Sequence, residues 1–310
     1  MPPPPTRERC YRHPDVETGV HCTRCGRPIC PDCMIPAPVG HQCPECVADA
    51  RREYRQGPGR QIAKAKLRAT GATTLILVAL GIGYVWELIV AGDPGSLVGG
   101  PPTTALIDAG ALVPFTGGTP QDVTGGLAGG EWWRLLSSIF LHAGLIHLAL
   151  NAYALWIFGQ IMEREVGRIA TLAVFLTTGV FAGAASYAFA PGFIVAVGAS
   201  GAVFGLVGAF ITYNYLRRHN VMAQARLRAA ISMLALNLII GITIPVIDWR
   251  AHLGGVVAGL LAGFAVDPSR PPAMRRLFTV LGLTAIVAAA VVLVAFRTAQ
   301  ILADPEVLLR

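Results

Sequence analysis

The sequence predicts an all-α membrane protein with several transmembrane helices, preceded by a small zinc-binding domain. The 310 residues are 54% hydrophobic and 14% charged, whereas ordinary soluble domains are about 25% charged. Seven apolar runs of about bilayer length follow residue 69, and all seven cysteines lie before residue 47. The net charge of +7 does not point to a nucleic-acid partner, because the basic residues flank the apolar runs.

These changes in composition divide the chain into five predicted segments. They are a disordered lead (1–9), a zinc-binding domain (10–48), a basic juxtamembrane neck (49–69), a core of six helices (70–267), and a seventh helix with a tail (268–310). Seven arginines and lysines in or beside the neck are expected to contact anionic membrane lipid. The apolar runs predicted to be helices are 70–91, 136–161, 169–190, 198–216, 228–246, 249–266 and 277–301.

Lys and Arg predict the orientation of these helices in the membrane. With the N-terminus in the cytoplasm, sixteen basic residues lie near the inner face and four near the outer face. This bias predicts a multi-pass protein of the plasma (inner) membrane with a cytoplasmic N-terminus and an external C-terminus. The long segment 92–133 would then be external and partly sunk in the outer leaflet, with Trp132 and Trp133 at the interface. Arg134 either extends to the lipid headgroups or fixes this segment.

The seven cysteines and one histidine form four pairs, each separated by two residues. Eight ligands are enough for two tetrahedral zinc ions, and metal binding would stabilise a segment too short to fold on an apolar core alone. A disulfide framework is the alternative, which a reducing cytoplasm disfavours. His21 and His41 are expected to be surface residues. The pairs are Cys10 with His13, Cys22 with Cys25, Cys30 with Cys33, and Cys43 with Cys46.

The spacing of these pairs resembles that of B-box and RING-like double-zinc modules. The resemblance implies that the first and third pairs share one ion and that the second and fourth pairs share the other. It also implies that the domain binds a protein partner. The residues themselves leave sequential pairing open.

Four polar residues inside the apolar runs fall at similar depth. Ser200 lies near the outer end of the fourth run, His252 begins the sixth, and His147 and Asn151 share the second. Such residues are costly in a membrane and therefore indicate function. Ser200 would be the nucleophile and His252 its general base. His147 and Asn151, four residues apart on one helix face, would donate to an oxyanion together with the Ser200 backbone N–H.

The surroundings of this cluster predict a Ser–His dyad rather than a triad. No carboxylate is expected at matching depth on a third helix, and Asp248 is expected in an external turn. His142 is expected to be a structural residue within the second helix. Phe204, one turn after Ser200, either stacks on His252 or packs in the core. The fourth and sixth helices are expected to approach closely through small residues at four-residue intervals. These are Gly201, Gly205, Gly255, Gly259 and Gly263.

These motifs resemble those of the rhomboid family of intramembrane serine proteases. The matching pieces are Gly198-Ala-Ser-Gly201, Ala251-His-Leu-Gly-Gly255, the spaced residues His142, His147 and Asn151, and Glu131-Trp-Trp-Arg134. The resemblance covers about 70–267 and implies a six-helix core that hydrolyses peptide bonds of transmembrane protein substrates. It implies the roles named above, with no cofactor for catalysis, and the seventh helix as a C-terminal extension. A non-catalytic adaptor for transmembrane helices and a transporter are the alternatives, and the absence of an inverted repeat disfavours the transporter.

Overall fold

The computed structural model describes residues 8–37, 39–56, 71–117, 124–244 and 247–304. The chain separates into two compact units, 1–68 and 69–310. Most of the predicted lead and most of the basic neck lie outside the described residues, as does the end of the C-terminal tail.

The first unit is built around its cysteines. Two short antiparallel pairs of strands, β1 (Glu8–Arg9) with β2 (Glu17–Thr18) and β3 (Ile35–Pro36) with β4 (His41–Gln42), precede helix α1 (Pro44–Gln56). Six of the seven cysteines are buried and pack with Ile29. A core of this composition is too small to stabilise a fold by apolar burial alone.

The second unit is helical, and its seven long helices correspond to the seven predicted runs. Five of the described helices are long and apolar enough to cross a membrane, while α8 and α10 are shorter, at 17 residues each. Most of α8 is buried, which places it at the centre of the bundle. In chain order the helices are α2 (Gly71–Ala91), α3 (Ser96–Gly99), α4 (Thr103–Ala109), α5 (Arg134–Ser137), α6 (Leu145–Val166), α7 (Arg168–Phe189), α8 (Ser200–Leu216), α9 (Val221–Thr243), α10 (Trp249–Ala265) and α11 (Pro272–Ala303).

The second long helix begins later than its hydropathy predicts. The predicted run starts at residue 136, but α5 and a 3₁₀ turn (Ser138–Phe140) are followed by an extended stretch, and α6 begins only at Leu145. Gly144 has a φ of 150°, a conformation that favours glycine, and it separates the two helical pieces. His142 therefore precedes the helix, and its predicted place within the helix is wrong.

Helices α8 and α10 approach through glycine, as the spacing predicts. A Cβ atom added to Gly255 would lie 2.0 Å from the carbonyl oxygen of Gly201, and one added to Gly259 would lie 2.0 Å from that of Gly205. The missing side chain of Gly201 faces Ala182 of α7 instead. Only glycine permits this contact between backbones.

The described residues between α2 and α5 (92–117 and 124–133) include several that are buried against the bundle. Leu106 on α4 is buried, and so are Ala111, Leu112 and Val113. Leu112 exchanges two backbone hydrogen bonds with Ala196, at 2.9 and 3.0 Å. These contacts fix the segment beside the chain that leads into α8.

Arg134 fixes this segment rather than extending to the surface. Its guanidinium is buried and donates to the carbonyl oxygens of Ile107 (2.8 Å) and Ala111 (2.9 Å) and to the Glu131 carboxylate (2.6 Å). Trp133 packs against Arg134 and remains half exposed. Of the two sequence-based interpretations of Arg134, the structural one agrees with these contacts.

Candidate active site

Ser200 and His252 lie within hydrogen-bond distance. Ser200 is the first residue of α8, and the chain reaches it through Gly198, whose φ of 122° favours glycine. His252 lies in the first turn of α10. Its Nε2 atom is 2.9 Å from the Ser200 Oγ atom. A hydroxyl paired with an imidazole in this way can lose its proton as it attacks an electrophile.

The His252 ring is held by stacking and by the start of its own helix. Phe204, one turn after Ser200, stacks on the ring with centroids 4.3 Å apart and planes 30° apart. Asp248 caps α10 by accepting from the Ala251 N–H (3.1 Å). The second Asp248 oxygen accepts from the Ser186 hydroxyl of α7. Asp248 therefore links the N-terminus of α10, the helix that carries His252, to α7.

Within the described part of the chain, no carboxylate makes a hydrogen bond to the far side of the His252 ring. Among the described residues, the buried Nδ1 atom of His252 has no hydrogen-bond partner. Asp248, the nearest acid in sequence, directs its oxygens to Ala251 and Ser186 instead. The described contacts therefore form a pair rather than a Ser–His–Asp triad.

His147 and Asn151 project from α6 toward the turn that precedes Ser200. A Cβ atom added to Gly198 would lie 2.9 Å from His147 Nε2 and 3.8 Å from Asn151 Nδ2. The Ala143 N–H points at His147 Nδ1 (3.3 Å), which assigns the ring hydrogen to Nε2. Asn151 Nδ2 donates one hydrogen to the His147 carbonyl (3.0 Å) and retains a second. Both side chains therefore have a free donor beside Ser200.

A cavity of about 770 Å³ joins these four side chains. Its wall includes Ser200, His252, His147 and Asn151, and also Asn237 of α9. The stretch Val195–Gly198 forms another part of the wall. The volume is within the range of ordinary ligand cavities, and Ser200 and His252 both line it.

One buried acid near this cluster was not predicted. Glu87 lies near the end of α2, has no exposed surface, and accepts a hydrogen bond from the His142 backbone N–H (2.8 Å). No carboxylate was expected at matching depth on a third helix, and Glu87 was therefore not singled out; its contact is to the backbone before α6 rather than to Ser200 or His252. An acid inside an apolar run is the sequence signal that could have found it.

The first unit brings the predicted zinc ligands into two groups of four. Within each group the ligand atoms all lie within 4.8 Å of one another. The Arg27 guanidinium donates to Cys25 Sγ (3.3 Å) and thereby lowers the pKa of that thiol, which favours the thiolate that binds metal. His21 belongs to neither group and contacts Glu8 (2.9 Å). The groups are Cys10, His13, Cys30 and Cys33, and Cys22, Cys25, Cys43 and Cys46.

This grouping is the alternating arrangement implied by the B-box-like spacing. The first pair joins the third and the second joins the fourth, whereas sequential pairing would separate them. Three cysteines with one histidine, and four cysteines, are both ligand sets typical of structural zinc. The residues present therefore fit two zinc ions.

Together, the apolar helix bundle and its internal serine–histidine pair define a helical membrane protein with a serine-hydrolase-like site. The family model for the Rhomboid domain matches residues 129–269, a range that includes Ser200, His252, His147 and Asn151. The chain belongs to the rhomboid family.

Three relatives indicate how far this likeness extends. YdcA of Bacillus subtilis (strain 168), which bears the name of a rhomboid protease, is 37% identical over 139 residues, covering 45% of this chain and 69% of YdcA. Rhomboid protease GluP of the same organism is 38% identical over 140 residues, covering 45% of this chain and 27% of GluP. RHOMBOID-like protein 6, mitochondrial, of Arabidopsis thaliana is 38% identical over 139 residues, covering 44% of each chain. The match thus spans less than half of two of these relatives.

Proposed function

We propose that this protein is an intramembrane serine endopeptidase that cleaves membrane-anchored proteins in or near their transmembrane segments. The observation that carries the proposal is the 2.9 Å contact between Ser200 Oγ and His252 Nε2 beside a cavity inside the helix bundle. Family membership supports the same conclusion, since relatives of this chain are named rhomboid proteases.

The reaction follows from the chemistry of the four side chains. Ser200 Oγ attacks the substrate carbonyl carbon while His252 Nε2 takes the hydroxyl proton. The negative charge that develops on the carbonyl oxygen receives hydrogen bonds from His147, Asn151 and the Ser200 N–H. The His252 imidazolium then protonates the leaving amine, which leaves an ester on Ser200. Water attacks that ester while His252 takes a proton from the water, and His252 returns a proton to Ser200 Oγ as the acid product leaves.

The test compares Ser200→Ala and His252→Ala with wild type. Full-length protein in liposomes is assayed for cleavage of a model transmembrane substrate and for labelling by a fluorophosphonate probe. Both variants should lose cleavage while remaining folded, and Ser200→Ala should lose labelling. Ser269→Ala is the matched control, because its hydroxyl contacts Asp267 beyond the far end of α10 from His252. Undiminished turnover in either dyad variant would reject the proposal.

A non-catalytic adaptor is the competing function. An adaptor would still bind transmembrane helices, but its serine would not react with the probe. A Ser–His pair at hydrogen-bond distance favours the enzyme, because binding a helix requires neither group. Wild-type protein that binds a transmembrane segment without labelling or cleaving would support the adaptor.

We further propose that the first unit holds two structural zinc ions and binds a protein partner. The two groups of four ligand atoms support the metal content. Metal analysis of the purified full chain should find about two zinc ions, and His13→Ala should lose about one of them. His21→Ala is the control, because His21 lies outside both groups and should leave the content unchanged. Wild type that contains no zinc would overturn this assignment.

We also propose the boundaries of the segments and the location of the protein in the cell. The zinc-binding domain would cover 10–48, the lipid-contacting neck 49–69, the six-helix core 70–267 and the seventh helix with its tail 268–310. The protein would lie in the plasma (inner) membrane with its N-terminus in the cytoplasm. Protease added outside intact cells should therefore leave the zinc-binding domain uncut. Cleavage within that domain would contradict the proposed orientation.

A further inference from the structure

Glu87 is a buried acid that the proposed reaction does not use. It lies on α2 with no exposed surface, and its Oε2 atom accepts a hydrogen bond from the His142 N–H (2.8 Å). Burying a carboxylate inside a membrane helix is costly, so its retention requires a specific contact. The contact it makes is to the extended stretch that precedes α6.

The neighbouring peptide in that stretch contacts His147. The N–H of Ala143, the residue after His142, points at His147 Nδ1 (3.3 Å). The wholly buried ring of His142 also packs edge-on against the His147 ring, with centroids 5.2 Å apart and planes at 64°. Two successive amides thus connect Glu87 to His147.

This connection bears on the atom that His147 would present to the substrate. Because Nδ1 accepts from Ala143, the ring hydrogen belongs to Nε2. Nε2 and the adjacent Cε1 are the His147 atoms that face the Gly198 turn, 2.9 and 2.8 Å from a Cβ atom placed at Gly198. A displaced 142–143 stretch would release both the tautomer and the ring orientation of His147, since this backbone lies outside any helix and has no helical hydrogen bonds to hold it.

We propose that Glu87 is a positioning residue for the oxyanion donor His147, acting through the backbone of His142 and Ala143. The inference rests on the proposed function and adds a residue of the first long helix to the machinery of the site. Glu87 touches neither Ser200 nor His252 among the described contacts, so its proposed effect on the reaction is carried by the backbone that contacts His147.

A polar contact elsewhere on α2, made with α6 itself, provides the control. At the opposite end of α2, Thr73 donates its hydroxyl to the buried Glu163 carboxylate of α6 (2.8 Å). Thr73→Val removes a buried hydrogen bond between α2 and α6 without touching the 141–144 stretch. Both substitutions remove one buried hydrogen bond of α2, but Thr73 makes no described contact with the backbone that leads to His147.

The experiment is a double-mutant cycle on full-length protein in liposomes, with kcat and KM measured on a model transmembrane substrate. Glu87→Ala should lower kcat by about ten- to a hundredfold with little change in KM, because it misplaces a group that acts in the transition state. Glu87→Gln keeps an oxygen that accepts the His142 N–H and should retain kcat within about twofold. In a His147→Ala background, Glu87→Ala should cost less than about twofold, whereas Thr73→Val should cost the same factor in both backgrounds.

Each result decides the proposal. Equal loss from Glu87→Ala with and without His147 would overturn it, because a general loss of stability adds independently. Glu87→Gln as inactive as Glu87→Ala would overturn the hydrogen-bond account. If Ser200→Ala abolishes turnover but Glu87→Ala leaves kcat unchanged, this inference is overturned and the proposed function is not. Wild type without turnover that depends on Ser200 would overturn the proposed function, and this inference with it.

Discussion

The contact between the backbones of α8 and α10 determines whether Ser200 reaches His252. A methyl group at position 255 would lie 2.0 Å from the Gly201 carbonyl oxygen, whereas ordinary van der Waals contact begins near 3.4 Å. Gly201 follows Ser200 directly, and Gly255 is less than one turn after His252. Gly255→Ala must therefore separate the two helices close to the reacting groups, because the obstructing atom belongs to the backbone.

The size of the effect follows from these distances. Relieving the overlap requires a local separation of about 1 Å, since packed backbones cannot yield as a side chain does. Added to the 2.9 Å between Ser200 Oγ and His252 Nε2, such a shift exceeds hydrogen-bond range. A misplacement of about 1 Å can cost about a hundredfold in rate, and overpacking of this kind costs about 1–3 kcal/mol of stability.

The assay is kcat for a model transmembrane substrate in liposomes, together with the rate of fluorophosphonate labelling and the thermal unfolding midpoint. We expect both rates to fall about a hundredfold in Gly255→Ala. Gly81→Ala is the matched control, since nothing lies within 4 Å of a Cβ atom at that position of α2. It should keep full activity, because alanine is favoured over glycine in a helix. Gly255→Ala with more than half of the wild-type kcat would refute the packing argument.

Four further predictions concern two kinds of residue, the neighbours of the Ser200–His252 pair and the buried Arg134 with its partner Glu131. His147→Ala and Asn151→Ala should each lower kcat by up to about 10²–10³-fold with little change in KM, as expected for oxyanion donors; a change confined to KM would assign them to substrate binding instead. Phe204→Leu should cost about 0.5–1.5 kcal/mol of transition-state stabilisation through loss of the ring stacked 4.3 Å from His252, and unchanged kcat would show that the stacking does not orient the base. Arg134→Ala should destabilise the protein by about 1–3 kcal/mol at neutral pH in thermal unfolding, because three hydrogen bonds from a buried guanidinium are lost. An unchanged unfolding midpoint would contradict that account. Burial by itself would raise the pKa of the Glu131 carboxyl, but hydrogen bonds from Arg134 and the Gly126 N–H lower it overall. The stability that ionised Glu131 contributes should therefore be present above about pH 4. It should be lost as pH falls through the lowered pKa. Glu131→Gln should accordingly be less stable than wild type at pH 7 and nearly equal to it in strong acid, and a difference that persists in acid would contradict the assignment.

The residues of the candidate site could be found from the sequence because each is unusual where it stands. A serine, two histidines and an asparagine inside apolar runs carry a cost that composition makes visible. The four-residue interval of glycine likewise predicts that two helices approach, since it depends only on helix geometry. The zinc ligands could be identified for a similar reason, because a pair separated by two residues is a local pattern.

Other features depend on partners that are distant in the chain. The second long helix begins at Leu145 rather than at residue 136, because both pieces on either side of Gly144 are apolar and hydropathy does not register the break. Glu87 stands out in its run, but its partner His142 lies 55 residues further on. Arg134 allowed two interpretations until the carbonyl oxygens of Ile107 and Ala111 were located around it.

The sequence by itself determined the class of protein, the presence of seven long helices, the Cys and His pairs that could bind zinc and the residues that could carry chemistry. Each of these depends on residue type, or on spacing within one element. Only the tertiary structure decided that Ser200 lies 2.9 Å from His252 and that the Glu87 carboxylate accepts a hydrogen bond from the backbone before His147. It also decided that the first Cys and His pair joins the third and that the second joins the fourth. Those distances arise from packing between elements, and a pattern along one helix cannot specify which backbone atom of another helix it will meet.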